Sequence, residues 1–161
     1  MTDRETILLT LSPSPIRRRM AVAVLGGTGG LLIWLALTAP QSAPLWQVLL
    51  IAFGAGALWA AYKLWQATME HLVLTSHELR SSDGTVLCDL DAVVGIDRGA
   101  FAFKPSNGFV LKLAHPSGPR GWAPGLWWRT GSRIGIGGVT PAAQGKMMAE
   151  LIAHTMAERD A

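Results

Sequence analysis

Residues 20–62 read MAVAVLGGTGGLLIWLALTAPQSAPLWQVLLIAFGAGALWAAY, and no charged side chain interrupts them. Two apolar runs lie within this stretch, Met20 to Ala39 and Ala43 to Tyr62. A helix of about 20 residues rises about 30 Å, the thickness of a bilayer's hydrocarbon core, so each run predicts a transmembrane helix. The link Pro40-Gln41-Ser42-Ala43-Pro44 is too short for anything but a turn, which makes the helices antiparallel neighbours. Pro44 suits a first helical position, where its missing N–H needs no partner.

Immediately outside this stretch, Arg17, Arg18 and Arg19 precede the first run and Lys63 follows the second, while the turn is uncharged. Basic flanks stay in the cytosol. Both termini are therefore expected there, in a multi-pass protein of a bacterial inner membrane. Trp46 and Trp65 fall near opposite ends of the second run, where amphipathic rings settle at interfaces. A signal peptide over Arg17 to Ala39 is the competing reading. Against it stand the residues that precede the basic cluster, a poor cleavage pattern, and a second span that follows at once.

Within the hairpin, Gly26 and Gly30 are spaced small-xxx-small, as are Gly56 and Ala60. Such residues let helix backbones approach closely. Packing inside the hairpin is the expected use, and docking on another membrane protein is the alternative. The glycine run Gly26-Gly27-Thr28-Gly29-Gly30 lacks the Lys-Ser/Thr of a phosphate-binding loop. No ionisable side chain lies mid-span, so ion or proton transport has no carrier.

The expected organisation is an N-terminal cytosolic segment (1–19), the hairpin (20–66) and a cytosolic domain (70–161). Ile7-Leu8-Leu9-Thr10-Leu11, ahead of Ser12-Pro13-Ser14-Pro15, either adds a strand to the cytosolic sheet or rests on the membrane surface. Beyond Trp65 the period becomes alternating. Leu72 to Thr75, Glu78 to Arg80, Thr85 to Cys88, Ala92 to Asp97, Phe101 to Lys104, Phe109 to Leu113 and Arg133 to Gly137 read as strands. Ser82-Asp83-Gly84 and Ser106-Asn107-Gly108 supply turn residues that tolerate positive φ. His115 to Gly131 reads as an irregular Gly/Pro/Trp-rich stretch. Thr140, as N-cap with Pro141 behind it, opens a closing helix whose Met147, Met148, Leu151, Ile152 and Thr155 form one apolar stripe.

Short strands followed by one C-terminal amphipathic helix is the order of pleckstrin-homology-like domains. Leu72-Val73-Leu74-Thr75 to Leu79, the Gly84 turn and Val93-Val94-Gly95-Ile96-Asp97-Arg98 resemble the start of the bacterial pleckstrin-homology family. Members of that family often follow a transmembrane hairpin with such a domain. The resemblance covers roughly residues 70–98 and the closing helix, and departs at the Trp-rich stretch. It implies an α+β membrane protein: a two-helix hairpin plus a PH-like antiparallel β domain with a binding or scaffolding role.

Charge in the domain is segregated. Glu70, Glu78, Asp83, Asp89, Asp91 and Asp97 crowd its first third, opposed there by Arg80. From Arg98 to Lys146 the charges are all basic, with Lys104, Lys112, Arg120, Arg129 and Arg133 between them. Arginine forks phosphate while indole suits the polar–apolar boundary. Lys104, Trp122, Trp127, Trp128, Arg129 and Arg133 are therefore the candidate contacts to lipid headgroups or a partner membrane protein. In the competing reading the tryptophans fill the core and the cations form a solvated face. Trp127 and Trp128 are neighbours in extended chain and point opposite ways, so both rings are not expected in the core.

Nucleic acid is not an expected partner, because the net charge of +3 is accounted for by the Arg17 to Arg19 cluster. No cofactor, metal or catalytic set is expected. His71, His77, His115 and His154 lack metal-ligand spacing, and the single cysteine, Cys88, has acidic neighbours that discourage a thiolate. Gly135-Ile136-Gly137-Gly138 falls short of a dinucleotide fingerprint. The expected protein is a non-enzymatic, membrane-anchored interaction module, or else an accessory subunit of a larger membrane complex.

Overall fold

The computed structural model describes residues 6–38, 44–99 and 105–161. The chain forms two units, Pro15–Gln66 and a second assembled from Met1–Ser14 with Ala67–Ala161. The first unit holds α1 (Pro15–Thr38) and α2 (Pro44–Ala67), both long and apolar enough to cross a membrane. Pro44 does begin its helix. The expected turn at 40–43 lies outside the described residues.

Few side chains in this unit are buried, and Val24, Leu31, Trp34, Leu37, Val48, Phe53 and Trp59 are exposed around both helices. Where α1 ends, its orphan carbonyls find side-chain donors: Thr38 Oγ1 donates to Leu35 O at 3.3 Å and Gln47 Nε2 to Ala36 O at 2.9 Å. At the other end the Arg18 guanidinium stacks over the Trp65 ring, 4.7 Å from its centre.

The helices meet at Gly29 and Gly54. A Cβ on Gly29 would lie 2.8 Å from Gly54 O and 2.9 Å from Leu58 Cγ. One on Gly54 would lie 2.7 Å from Ile33 Cγ1 and 2.9 Å from Gly29 O. The expected positions are corrected accordingly: a Cβ at Gly26, Gly30 or Gly56 would meet nothing within 4 Å, and Ala60 is only half-buried. Several registers of small residues are available, and the one that closes puts Ile33 and Leu58 side chains against the two glycines.

The second unit is two antiparallel sheets and a helix. Its first sheet runs β1 (Ile7–Leu11), β2 (Leu72–Thr75), β3 (Glu78–Ser81) and β4 (Val86–Asp89) in that order. Of the two readings of residues 7–11, the added strand is the observed one. β1 pairs antiparallel with β2, Leu11 opposite Leu72. Ser12 N donates to Gln144 Oε1 at 3.3 Å and Ser14 N to Val139 O at 2.9 Å, fastening the end of that strand.

After a short 3-10 turn at Leu90–Ala92 comes the second sheet. Its strands are β5 (Val93–Asp97), β6 (Phe109–Leu113), β7 (Gly121–Ala123), β8 (Trp127–Thr130) and β9 (Arg133–Ile136), in spatial order β5-β6-β9-β8-β7. The strand expected at 101–104 lies outside the described residues. The stretch expected to be irregular carries the β7–β8 hairpin. At its turn Leu126 N donates to Ala123 O at 3.0 Å and Gly125 has φ +78°, the positive-φ third position of a type II turn with Pro124 before it.

Alternation buries Phe109, Leu111 and Leu113 on β6 and Ile134 and Ile136 on β9 against Leu11, Leu72, Leu74, Leu79 and Leu87. α3 (Ala142–Asp160) closes this core with Met148, Ala149 and Ile152 and touches β1 and β5. Met147 falls outside the expected stripe and is exposed, and Pro141, not Thr140, stands at the N-cap. Near the far end Arg159 Nη1 donates to Asp91 O at 2.9 Å and to Val93 O at 3.3 Å.

Two outcomes follow. Replacing residues 15–66 by a short Gly/Ser linker should leave a soluble, folded domain, and Leu11→Ala in it should lower urea stability by about 2–5 kcal/mol, the usual cost of emptying a buried leucine site. An unchanged midpoint would mean that β1 is not part of the core. In the full chain in detergent, Gly29→Ala should lower the melting temperature of the helices. The adjacent Gly30→Ala should be neutral or stabilising by about 1 kcal/mol, because alanine is the better helix former where space is open.

Candidate functional site

The register of the second sheet sorts the Trp-rich segment into two faces. Trp127 points inward and is 8% exposed, Arg129 points inward and is 5% exposed, while Trp122 on β7 points outward and is 62% exposed. Trp128, between Trp127 and Arg129, is half-buried on the outer face. Neither the all-core nor the all-interface reading describes this segment; alternation divides it.

Arg129 is placed otherwise than expected. Its Nε donates to Pro119 O at 2.8 Å, and its Nη1 reaches Val86 O at 3.0 Å, Ser117 O at 3.1 Å and Leu87 O at 3.2 Å. The guanidinium also lies over the Trp127 ring at 5.9 Å. Arginine keeps its charge when buried, and here four carbonyls from β4 and the 117–119 loop surround it. It joins the outer edge of the first sheet to the second, its Nε and Nη1 committed to carbonyls. Ser117 Oγ adds a bond to Leu87 O at 2.8 Å along the same edge.

What remains outward forms two cross-strand rows. Trp122 pairs with Trp128, Trp128 with Gly135, Gly135 with Val110 and Val110 with Asp97. A Cβ at Gly135 would overlap the Trp128 indole, so the ring lies flat across that glycine. The second row holds Thr130, Arg133, Lys112 and Gly95 as successive partners. Arg120 precedes Gly121, the partner of Arg129, and antiparallel register carries it toward Thr130 at the row's end. Directly opposed cross-strand residues lie about 5 Å apart, so the sheet carries an aromatic row beside a cationic one.

Trp122, Trp128, Arg120, Thr130 and Arg133 line an open groove of about 640 Å³ with Arg129 behind it. That volume falls in the range of small-molecule sites. Lys112 is paired with Asp97 at 3.6 Å. The Asp97 carboxyl is held below its usual pKa by the Gly99 backbone N–H, with Lys112 adding to the effect. Arg120 and Arg133, both exposed, have no carboxylate within 4.0 Å among the described residues. Lys104 lies outside the described residues.

Elsewhere the chemistry is quiet. Burial, with Asp89 adding, pushes the Cys88 thiol up to about 12, so it stays a protonated core side chain. Among the described residues no three of His, Cys, Asp and Glu come together as a metal site. His154 meets Glu158 at 3.4 Å on the exposed face of α3.

Arg120 and Gly135 were not among the candidates from sequence. Pro124-Gly125 was the available signal: read as a type II turn, it sets the β7–β8 register and brings Arg120 level with Thr130. No family model, curated protein or solved structure matches this chain.

The two arginines should separate cleanly in a urea titration of the hairpin-free domain. Arg129→Met should cost about 3 kcal/mol or more, since hydrogen bonds to a charged group contribute about 1.5–3 kcal/mol each and four carbonyls lose a charged donor. Arg133→Gln, on the exposed row, should stay within about 0.5 kcal/mol of the parent. Equal, small effects would contradict the structural role assigned to Arg129.

Proposed function

We propose that this chain is a non-enzymatic, membrane-anchored interaction module that holds anionic lipid headgroups, or an acidic face of a partner protein, at the cytosolic side of a bacterial inner membrane. The observation that carries the reading is the pair of rows on the outer sheet face: indoles for the polar–apolar boundary, guanidiniums for phosphate or carboxylate. Two apolar helices support the anchor. Arg17, Arg18, Arg19 and Lys63 support a cytosolic domain by the positive-inside rule. The tethers are short, Ser12 to Ser14 on one side and Thr68 to His71 on the other. Two antiparallel sheets closed by a C-terminal helix are compatible with the pleckstrin-homology resemblance, and that family's binding role agrees with the site.

An accessory subunit of a larger membrane complex is the second reading. It is favoured by Gly26, Gly30 and Gly56, whose open Cβ positions leave small-residue surface on both helices for another protein's helix.

Flotation of the hairpin-free domain with vesicles tests the first reading. Anionic vesicles should carry more protein than neutral ones, and the difference should shrink with salt as the Debye length falls below about 10 Å. Each cation at such a surface contributes about 1 kcal/mol, so Arg120→Gln with Arg133→Gln should weaken binding about thirtyfold. Equal recovery on neutral and anionic vesicles at low salt would sink the lipid reading. A stoichiometric membrane partner retained in mild detergent would then favour the subunit.

A further inference from the structure

The two rows differ in what they can grip, and they lie side by side on one sheet face. An occupant lying across the strands meets Trp122 and Trp128 along one edge and Arg120 and Arg133 along the other. The cationic edge needs an anion with several acceptor oxygens, because guanidinium donors form a fork. The aromatic edge needs apolar surface at a hydrated boundary. Among the described residues no carboxylate lines the groove; the Asp97 carboxylate, paired with Lys112, feels Arg133 from outside it. Its volume of about 640 Å³ exceeds what a bare phosphate fills and suits a headgroup with its glycerol and the start of a chain.

The hairpin decides between sources of such a ligand. A domain joined at two points to apolar helices works where phospholipid is the abundant anionic amphiphile. We infer that the groove between Trp122, Trp128, Arg120 and Arg133 takes one anionic phospholipid at a time, its phosphate on the arginines and its glycerol–acyl portion on the indoles. This rests on the lipid reading of the preceding subsection and sharpens it from surface attraction to a saturable, single-molecule site. Thr130 lies between the arginines, so a carboxylate there would take the place of the phosphate.

Native mass spectrometry of the full chain in neutral detergent reads this directly. Titrated phosphatidylglycerol should give one adduct that saturates well before any other, and phosphatidylcholine should not. Arg120→Gln and Arg133→Gln should each weaken that adduct about fivefold. Thr130→Glu should abolish it, and Trp122→Ala should weaken it with an unchanged melting temperature, since that ring is 62% exposed. Arg17→Gln with Arg19→Gln, on the hairpin, should leave it intact.

Loss of the adduct with the hairpin pair but not the groove pair would put the lipid on the helices and overturn the proposal. So would equal adducts with phosphatidylcholine, or glycerol phosphate competing as well as the whole lipid, which would leave the indoles without a role. Anionic vesicles that still float the domain while no single tight adduct forms would overturn the groove site alone. Failure of flotation as well would remove the lipid reading beneath it.

Discussion

Leu11 ends the strand before the hairpin, Leu72 begins the strand after it, and the two are backbone partners with side chains shut away from solvent. Everything between them, both apolar helices included, is an insertion between neighbouring strands of one sheet. Two crossings return a chain to the side it left, so this pairing is compatible with an even number of spans and with no odd number. It also makes the short N-terminal segment part of the domain's core, contributing one wall of a leucine cluster that the later strands complete. A domain cut at residue 70 would lack that wall.

The second organising device is a cation. Arg129 sits inside, with its Nε and Nη1 on carbonyls of β4 and of the 117–119 loop, and so ties one sheet's edge to the other sheet. Burying a charge is tolerable when hydrogen bonds compensate its lost hydration. Its neighbours in sequence do different work: Trp127 packs in the core, Trp128 covers Gly135 outside, and Thr130 stands in the cationic row. One strand of four residues therefore supplies core, inter-sheet tie and candidate binding face, because side chains alternate across a pleat.

The helices are legible in the sequence because nothing charged interrupts them, and most strands because their apolar alternation is local. β7 and β8 are not, since Pro116, Pro119, Pro124 and four glycines from Gly118 to Gly131 hide two strands too short to show a period. Burial of Arg129 depends on carbonyls about forty residues away, and no local pattern reports that. The rows on the outer sheet face are half legible: the cations and tryptophans stand out, but which of them face outward follows from a register that only the turn at Pro124-Gly125 sets. The helix contact fails for a related reason. Small-xxx-small spacing recurs along both helices, and spacing alone does not report the rotation about their axes that brings Gly29 and Gly54 together beside Ile33 and Leu58.

The inserted hairpin also sets an order of events during synthesis. β1 emerges from the ribosome before the helices, but its partner β2 follows about sixty residues later, a wait of roughly 3–12 s at ordinary elongation rates. Strand pairing itself takes microseconds, so Ile7-Leu8-Leu9-Thr10-Leu11 must idle, unpaired, for about a million times its own pairing time. Idle apolar strands recruit the wrong neighbours. Here the five residues are bracketed by Asp3, Arg4 and Glu5 on one side and by Pro13 and Pro15 on the other, the residue types that discourage stray pairing. The same short strand thus has to stay solitary while the helices are made and then close one edge of a sheet, with Leu11 in the core.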